Sequence, residues 1–217
     1  LKYHVNINTK RKIEKIILLL LALNFVQIIF GAVGCSLNDP DRDVKRIFPN
    51  STGYKTEYIS IESRGGKELA TKIEVQLHDV LNPKYEALSV DYSYYTILRG
   101  KEMIGRIHGV NQKGIFGGMQ LILATDLDGK IIDFFIQKIS SPHAKKFRNK
   151  EFTKQFIALT IADFDLFHAQ KEGKINKLIS PSEKYNDDFK SIVRGLNKNL
   201  LLLKYFQFEK EISDKNR

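Results

Sequence analysis

The chain has 217 residues, 42% of them hydrophobic and 28% charged, with a formal net charge of +10. That composition excludes wholesale disorder and leaves room for one globular domain plus an N-terminal extra. Lys and Arg are spread without a dense run, so nucleic acid is not implied, and the single cysteine, Cys35, excludes an internal disulfide framework or a cysteine-based metal site.

The first 35 residues carry +4 of the charge, from Lys2, Lys10, Arg11, Lys12 and Lys15 against Glu14. The basic cluster is followed by an apolar run from Ile16 to Gly34, broken only by Asn24 and Gln27. Basic then apolar is the order of a secretory signal, because the positive flank stays on the cytoplasmic side while the apolar run enters the membrane. Two fates fit. The run is long enough to remain as a membrane-spanning anchor. Alternatively, Ala32-Val33-Gly34-Cys35 resembles a bacterial lipobox, in which Cys35 is lipidated and becomes the mature N-terminus. Either way residues 1–35 act as signal peptide or anchor, and the body is expected in an extracytoplasmic space of a bacterial envelope, held to its membrane.

Residues 36–53 hold Asn-Asp-Pro-Asp and Pro49-Asn-Ser-Thr-Gly53, turn formers that read as a tether. The domain is expected over residues 54–212. Tyr54–Ile61 and Ala70–Leu77 read as strands around an Arg64-Gly65-Gly66-Lys67 turn. Val90–Leu98 is rich in aromatic and β-branched residues. Glu102–Val110 and Met119–Thr125 flank a Gly-rich turn. Ile131–Ile139 follows Asp128-Gly129, where Gly accepts the positive φ that a tight hairpin demands. The pattern changes after Pro142. Phe152, Phe156 and Leu159 share one helical face, and a stripe from Phe189 through Ile192, Val193, Leu196, Leu200 and Leu203 marks a longer helix. Strands followed by helices give an α+β fold, an antiparallel sheet packed against C-terminal helices and preceded by the signal or membrane helix.

The run from Gly114 to Asp133, with Gly117-Gly118 and Asp128-Gly129, followed by Ser140-Ser141-Pro142, resembles the FMN-binding domain family. That family includes the extracytoplasmic C subunit of sodium-pumping NADH:quinone reductase and the G subunit of the related electron-transport complex. The similarity covers roughly Tyr94 to Tyr205. It implies a flavoprotein of electron transport, with FMN near Gly117, Gly118, Ser140, Ser141, Lys145, Ser180 and Ser182. The chain departs from the pattern in two places. His143 stands where the family has Gly, and Ser180-Pro181-Ser182-Glu183 replaces the Ser-Gly-Ala-Thr motif whose Thr can carry FMN. A carboxylate cannot accept the flavin phosphate, so FMN held here is expected to be non-covalent.

The same residues have plainer readings. Ser180, Pro181 and Glu183 fit N-cap, N1 and N3 of a capping box, and Ser141-Pro142 also suits a helix start. Lys145, Lys146 and Arg148 next to it make a basic face that would attract phosphate. Tyr92, Tyr94 and Tyr95 suit a core or a covered face. His108 and His143 fall near the candidate site, and no nucleophile–base constellation stands out. The expected role is therefore electron transfer or binding, with a redox partner protein, rather than a stand-alone enzyme. The alternative is a flavin-free structural or interaction lipoprotein that retains the fold.

Overall fold

Five strands form one antiparallel meander in which each pairs with the next: β1 (Gly53–Ile59), β2 (Tyr92–Arg99), β3 (Glu102–Gly114), β4 (Gly117–Thr125) and β5 (Ile131–Lys138). We describe residues 35–208 of the chain in a computed structural model. The apolar run 16–34, with the expected signal or anchor, lies outside the described residues. Among those described, no helix is long and apolar enough to cross a membrane.

The turns follow from residue chemistry. Asp126 Oδ1 accepts from the N–H groups of Asp128 and Lys130, and Gly129 takes φ +78° between β4 and β5. Ile115 and Phe116 alone separate β3 from β4, and Gly117 takes φ +135°, a conformation that favours glycine. At the outer edge of β5, Arg148 donates to the carbonyls of Ile136 and Gln137, while Ile131 exchanges backbone bonds with Ala158 and Leu159. Arg148 is thus an edge-capping residue whose charge stays exposed.

Among the described residues, seven α-helices accompany the sheet: α1 (Pro40–Ile47), α2 (Ile61–Arg64), α3 (Gly66–Leu77), α4 (Ala144–Phe147), α5 (Lys150–Thr153), α6 (Ile161–His168) and α7 (Asn186–Leu203). Strand alternation splits the sheet's side chains into two cores. Tyr92, Tyr94, Val110, Leu121, Leu123 and Phe134 meet Ile73 of α3, Phe152 and Phe156 of the short helical turns, and Ile192, Leu196 and Leu200 of α7. On the opposite face Tyr95, Ile97, Ile107, Ile122 and Ala124 pack with Cys35, Leu37, Val44 and Phe48. The α+β expectation holds, with a sheet covered on both sides.

Two local expectations are corrected. Ala70–Leu77 belongs to α3 and is not a strand: Leu69, Ala70, Ile73 and Leu77 are the buried residues, a helical spacing that buries one stripe. The segment expected as a tether is an integral layer. Asp39 caps α1 by accepting from Arg42 N–H, and Pro40 occupies its first turn. Ser93 Oγ donates to the Cys35 carbonyl at 2.5 Å, Leu37 N–H donates to Tyr95 Oη at 3.2 Å, and Gln137 Nε2 donates to the Ser36 carbonyl at 2.8 Å. Gly109 makes room for this layer, since a Cβ there would lie 2.4 Å from the Cys35 carbonyl oxygen.

Because the obstacle at Gly109 is backbone, Gly109→Ala is expected to destabilise the domain by about 2 kcal/mol. Urea denaturation followed by far-UV circular dichroism reads the shift in midpoint; an unchanged midpoint would show that residues 35–37 are not seated as described.

Candidate functional site

The structure brings together two loops that lie about forty residues apart in sequence and both contain Ser-Pro. The first leads from β5 into α4. Ser141 Oγ accepts from His143 N–H at 3.3 Å, and the Ser141 carbonyl accepts from Ala144 N–H. In the second, Ser180 Oγ accepts from Ser182 N–H at 3.3 Å and donates to the Ser182 carbonyl at 2.9 Å. Ser182 Oγ then accepts from Tyr185 N–H at 3.3 Å, which leaves its own proton for His143 Nδ1, 2.7 Å away. That bond joins the loops.

An aromatic stack covers the junction. The rings of His143 and Tyr185 meet edge-to-face at 4.6 Å, and Phe116 from the β3–β4 turn meets Tyr185 at 5.5 Å. Gly117 adjoins the first loop, with Ser140 Cβ and Oγ 3.9 Å from where a Cβ would stand. Gly117 thus adjoins Ser140, and Ser182 meets the loop of Ser141 through His143. Gly118 faces elsewhere, covered by Tyr85, whose ring would lie 2.8 Å from an added Cβ. Lys145 is exposed on α4.

The capping box expected of Ser180 and Glu183 is not formed. α7 begins at Asn186 after Tyr185, because Ser180 spends its oxygen two residues along the chain. Glu183 is exposed. The first turn of α7 carries Asp187 and Asp188, and Asp188 Oδ1 accepts from Ile115 N–H at 2.9 Å. Acidic residues there complement the helix dipole and compete with any phosphate for the same place.

Cys35 is fully buried under the sheet, and burial pushes its thiol up to about 12. It is a protonated, packed side chain in this arrangement, and lipid on its sulfur requires it to leave that seat. Tyr92 and Tyr94 face the helical core, and Tyr95 the opposite one.

Sequence reasoning missed the buried polar groups beneath α7. Lys198 is fully buried; its Nζ donates to Glu86 Oε1, to the Asn111 carbonyl at 2.5 Å and to Gln112 Oε1 at 3.4 Å. Arg194 donates to Glu86 at 2.7 Å, Asp79 at 2.5 Å, Gln112 at 2.9 Å and the Val80 carbonyl at 2.9 Å. Burial alone would raise Glu86, but Lys198 and Arg194 outweigh it and hold the carboxyl below its usual range. Burial brings Lys198 down to about 8 against the pull of Glu86, so the pair is ionised at neutral pH. His108, which the sequence reading put near the flavin place, lies in the core instead. Its Nδ1 is 2.7 Å from Asn199 Oδ1, and Asn199 Nδ2 donates back to the His108 carbonyl at 3.2 Å. Burial lowers its pKa to about 4, so it is neutral at pH 7.

Among the described residues, no group of three or more His, Cys, Asp or Glu side chains could hold a metal ion. No family model and no curated protein matches the chain.

Two stability outcomes follow from the buried charges. Glu86→Gln leaves Lys198 without its counter-ion and is expected to cost about 3–5 kcal/mol at pH 7. The cost falls as pH rises through the lowered Lys198 pKa, because an amine that has lost its proton no longer needs a counter-ion. Urea midpoints at pH 7 and pH 9.5 check this; an equal loss at both would remove Lys198 from the account. His108 acts on the acid side. With a folded pKa near 4 and an ordinary value near 6.5, the unfolded state binds the extra proton between those limits. Stability is therefore lost as pH falls from about 6.5 to 4, by up to about 3 kcal/mol, and His108→Gln should flatten that part of the profile.

Proposed function

We propose that this chain is an envelope-tethered interaction protein on a flavin-domain-like frame, with the place a phosphate would take closed by its own side chains. The observation that carries this reading is the junction itself. Ser141, Ser180 and Ser182 occupy the N–H groups of His143, Ser182 and Tyr185, and the His143–Ser182 bond locks the loops together. Each bond contributes about 1 kcal/mol net, and a phosphate would have to displace several at once beside Asp187 and Asp188. Tethering is assigned to the basic and apolar N-terminal run, with the domain extracytoplasmic. A partner surface is available at Val80, Ile115 and Phe116, which are 70%, 48% and 50% exposed; Val80 and Ile115 line a recess of about 460 Å³.

A second reading is favoured by the meeting of the two Ser-Pro loops, joined through His143 and Ser182, with Gly117 beside Ser140 of the first. In it the loops open, non-covalent FMN places its phosphate between them and its ring against Phe116 and Tyr185, and electrons pass to a redox partner in the envelope. Lys184, whose Nζ stands 5.5 Å from the Tyr185 ring centre, would add charge for the phosphate.

Titration of FMN into the purified chain, followed by flavin fluorescence, separates the two. The closed junction predicts no saturable quenching by the natural chain up to about 100 μM. Saturable quenching by the natural chain that Ser182→Ala weakens would replace the interaction reading with the flavin one.

A further inference from the structure

Among the described residues, the outer edge of β1 carries no further strand, because the meander begins there. The other end of the sheet is closed, since Arg148 and the segment around Ala158 bond the outer side of β5. Lys55, Thr56, Glu57 and Tyr58 are exposed in succession. Successive strand residues point to opposite faces, so exposure of all four means that neither face is covered along this edge. Tyr58 is 63% exposed, a large aromatic ring left in solvent. Such an edge is a template for another strand, and the side chains on it decide which strand and in which register.

The sequence of β1 is complementary to itself. Gly53-Tyr54-Lys55-Thr56-Glu57-Tyr58-Ile59 has matching residues on either side of Thr56. When two copies of the strand run antiparallel with Thr56 facing Thr56, Lys55 of each copy faces Glu57 of the other, and Tyr54 of each faces Tyr58. Directly opposite residues share one face of the sheet with Cβ atoms about 5 Å apart, so opposite charges, aromatic rings and threonines all meet favourably. Slips are penalised. Sliding the strands by two residues sets Lys55 against Lys55 or Glu57 against Glu57, and like charges directly opposite repel.

Tyr54 is already held in place for the contact. Its hydroxyl donates to Asp41 Oδ1 at 2.7 Å and its ring meets Tyr95 edge-to-face at 5.8 Å, so a fixed ring stands where Tyr58 of a second copy would arrive.

We propose that the edge of β1 is a self-association surface, on which two copies of this chain pair β1 with β1 about a twofold axis at Thr56 and join their sheets into one continuous antiparallel sheet. Residues 54–58 of each copy form the ladder. That is a small interface, so the dimer is weak and reversible, with a Kd on the order of 10 μM. The contact does not involve the Ser-Pro loops and stands whether or not those loops take FMN.

Sedimentation velocity of the full chain in density-matched detergent micelles, over about 1–200 μM, tests it. The natural chain is expected to pass from monomer to dimer in that range. Lys55→Glu and Glu57→Lys each set like charges across the axis and should weaken the dimer by about tenfold. Both positions are exposed, so neither change threatens the fold. Mixed in equal amounts, the two variants again set opposite charges across the axis and should associate as tightly as the natural chain. Association through the apolar N-terminal run would ignore both charges. A natural chain that stays monomeric at the highest concentration, its edge left for another protein's strand or for none, overturns the proposal. So do single variants that dimerise like the natural chain, or a mixture no tighter than either variant alone.

Discussion

Burial of Lys198 is the constraint on which the rest of the domain depends. A fully desolvated ammonium is tolerated only if its charge and its donors are met, and here Glu86, the Asn111 carbonyl and Gln112 meet them. Those partners come from the turn after α3 and from β3, so the ion pair holds the irregular stretch between Leu77 and Tyr92 against the sheet and helix. Buried Leu81 and Val90 and the bond from Glu62 N–H to the Leu88 carbonyl anchor the same stretch from within. The Asn82 carbonyl accepts from the N–H groups of Tyr85 and Glu86, and the Glu86 carboxylate accepts from Asn82 N–H, which presents the acid in the required direction. Arg194, one helical turn before Lys198, adds bonds to Glu86 and Asp79 and spreads the acid's charge over two cations.

The opposite face of the sheet is held by different physics. Residues 35–48 contribute few apolar side chains, yet Cys35, Leu37, Val44 and Phe48 are all buried. Asp43 is buried beside Val44, and backbone groups of Cys35, Ser36 and Leu37 are bonded to Ser93, Gln137 and Tyr95. A layer with so little apolar area depends on close approach to β3, which explains glycine at Gly109.

The strands β2 to β5 were legible because each signal was local: aromatic and β-branched runs, separated by Asp128-Gly129 and the Gly117-Gly118 turn. The long stripe of α7 was legible for the same reason. The α3 segment was misread because its short apolar run fits either period until the buried set Leu69, Ala70, Ile73 and Leu77 is seen. Residues 36–53 read as a tether because turn formers dominate them, while the glycine that admits them lies some seventy residues away. Nothing local in the sequence joins the two Ser-Pro loops, and their closure through His143 and Ser182 depends on contacts about forty residues apart. Glu86 and Lys198, 112 residues apart, carry the identity of surface residues, so nothing local distinguishes them from solvated charge.

The closed loop pair and the buried ion pair belong to one mechanical unit, because α7 carries both. Asp188 at its start accepts from Ile115 N–H, Tyr185 just before it packs against Phe116 and His143, and Arg194 and Lys198 further along hold Glu86. Parting the loops by moving Tyr185 would pull on the β3–β4 turn through Phe116 and on the helix start through Asp188. Shifting α7 along its axis instead would separate Lys198 from Glu86, at the cost of an uncompensated buried charge.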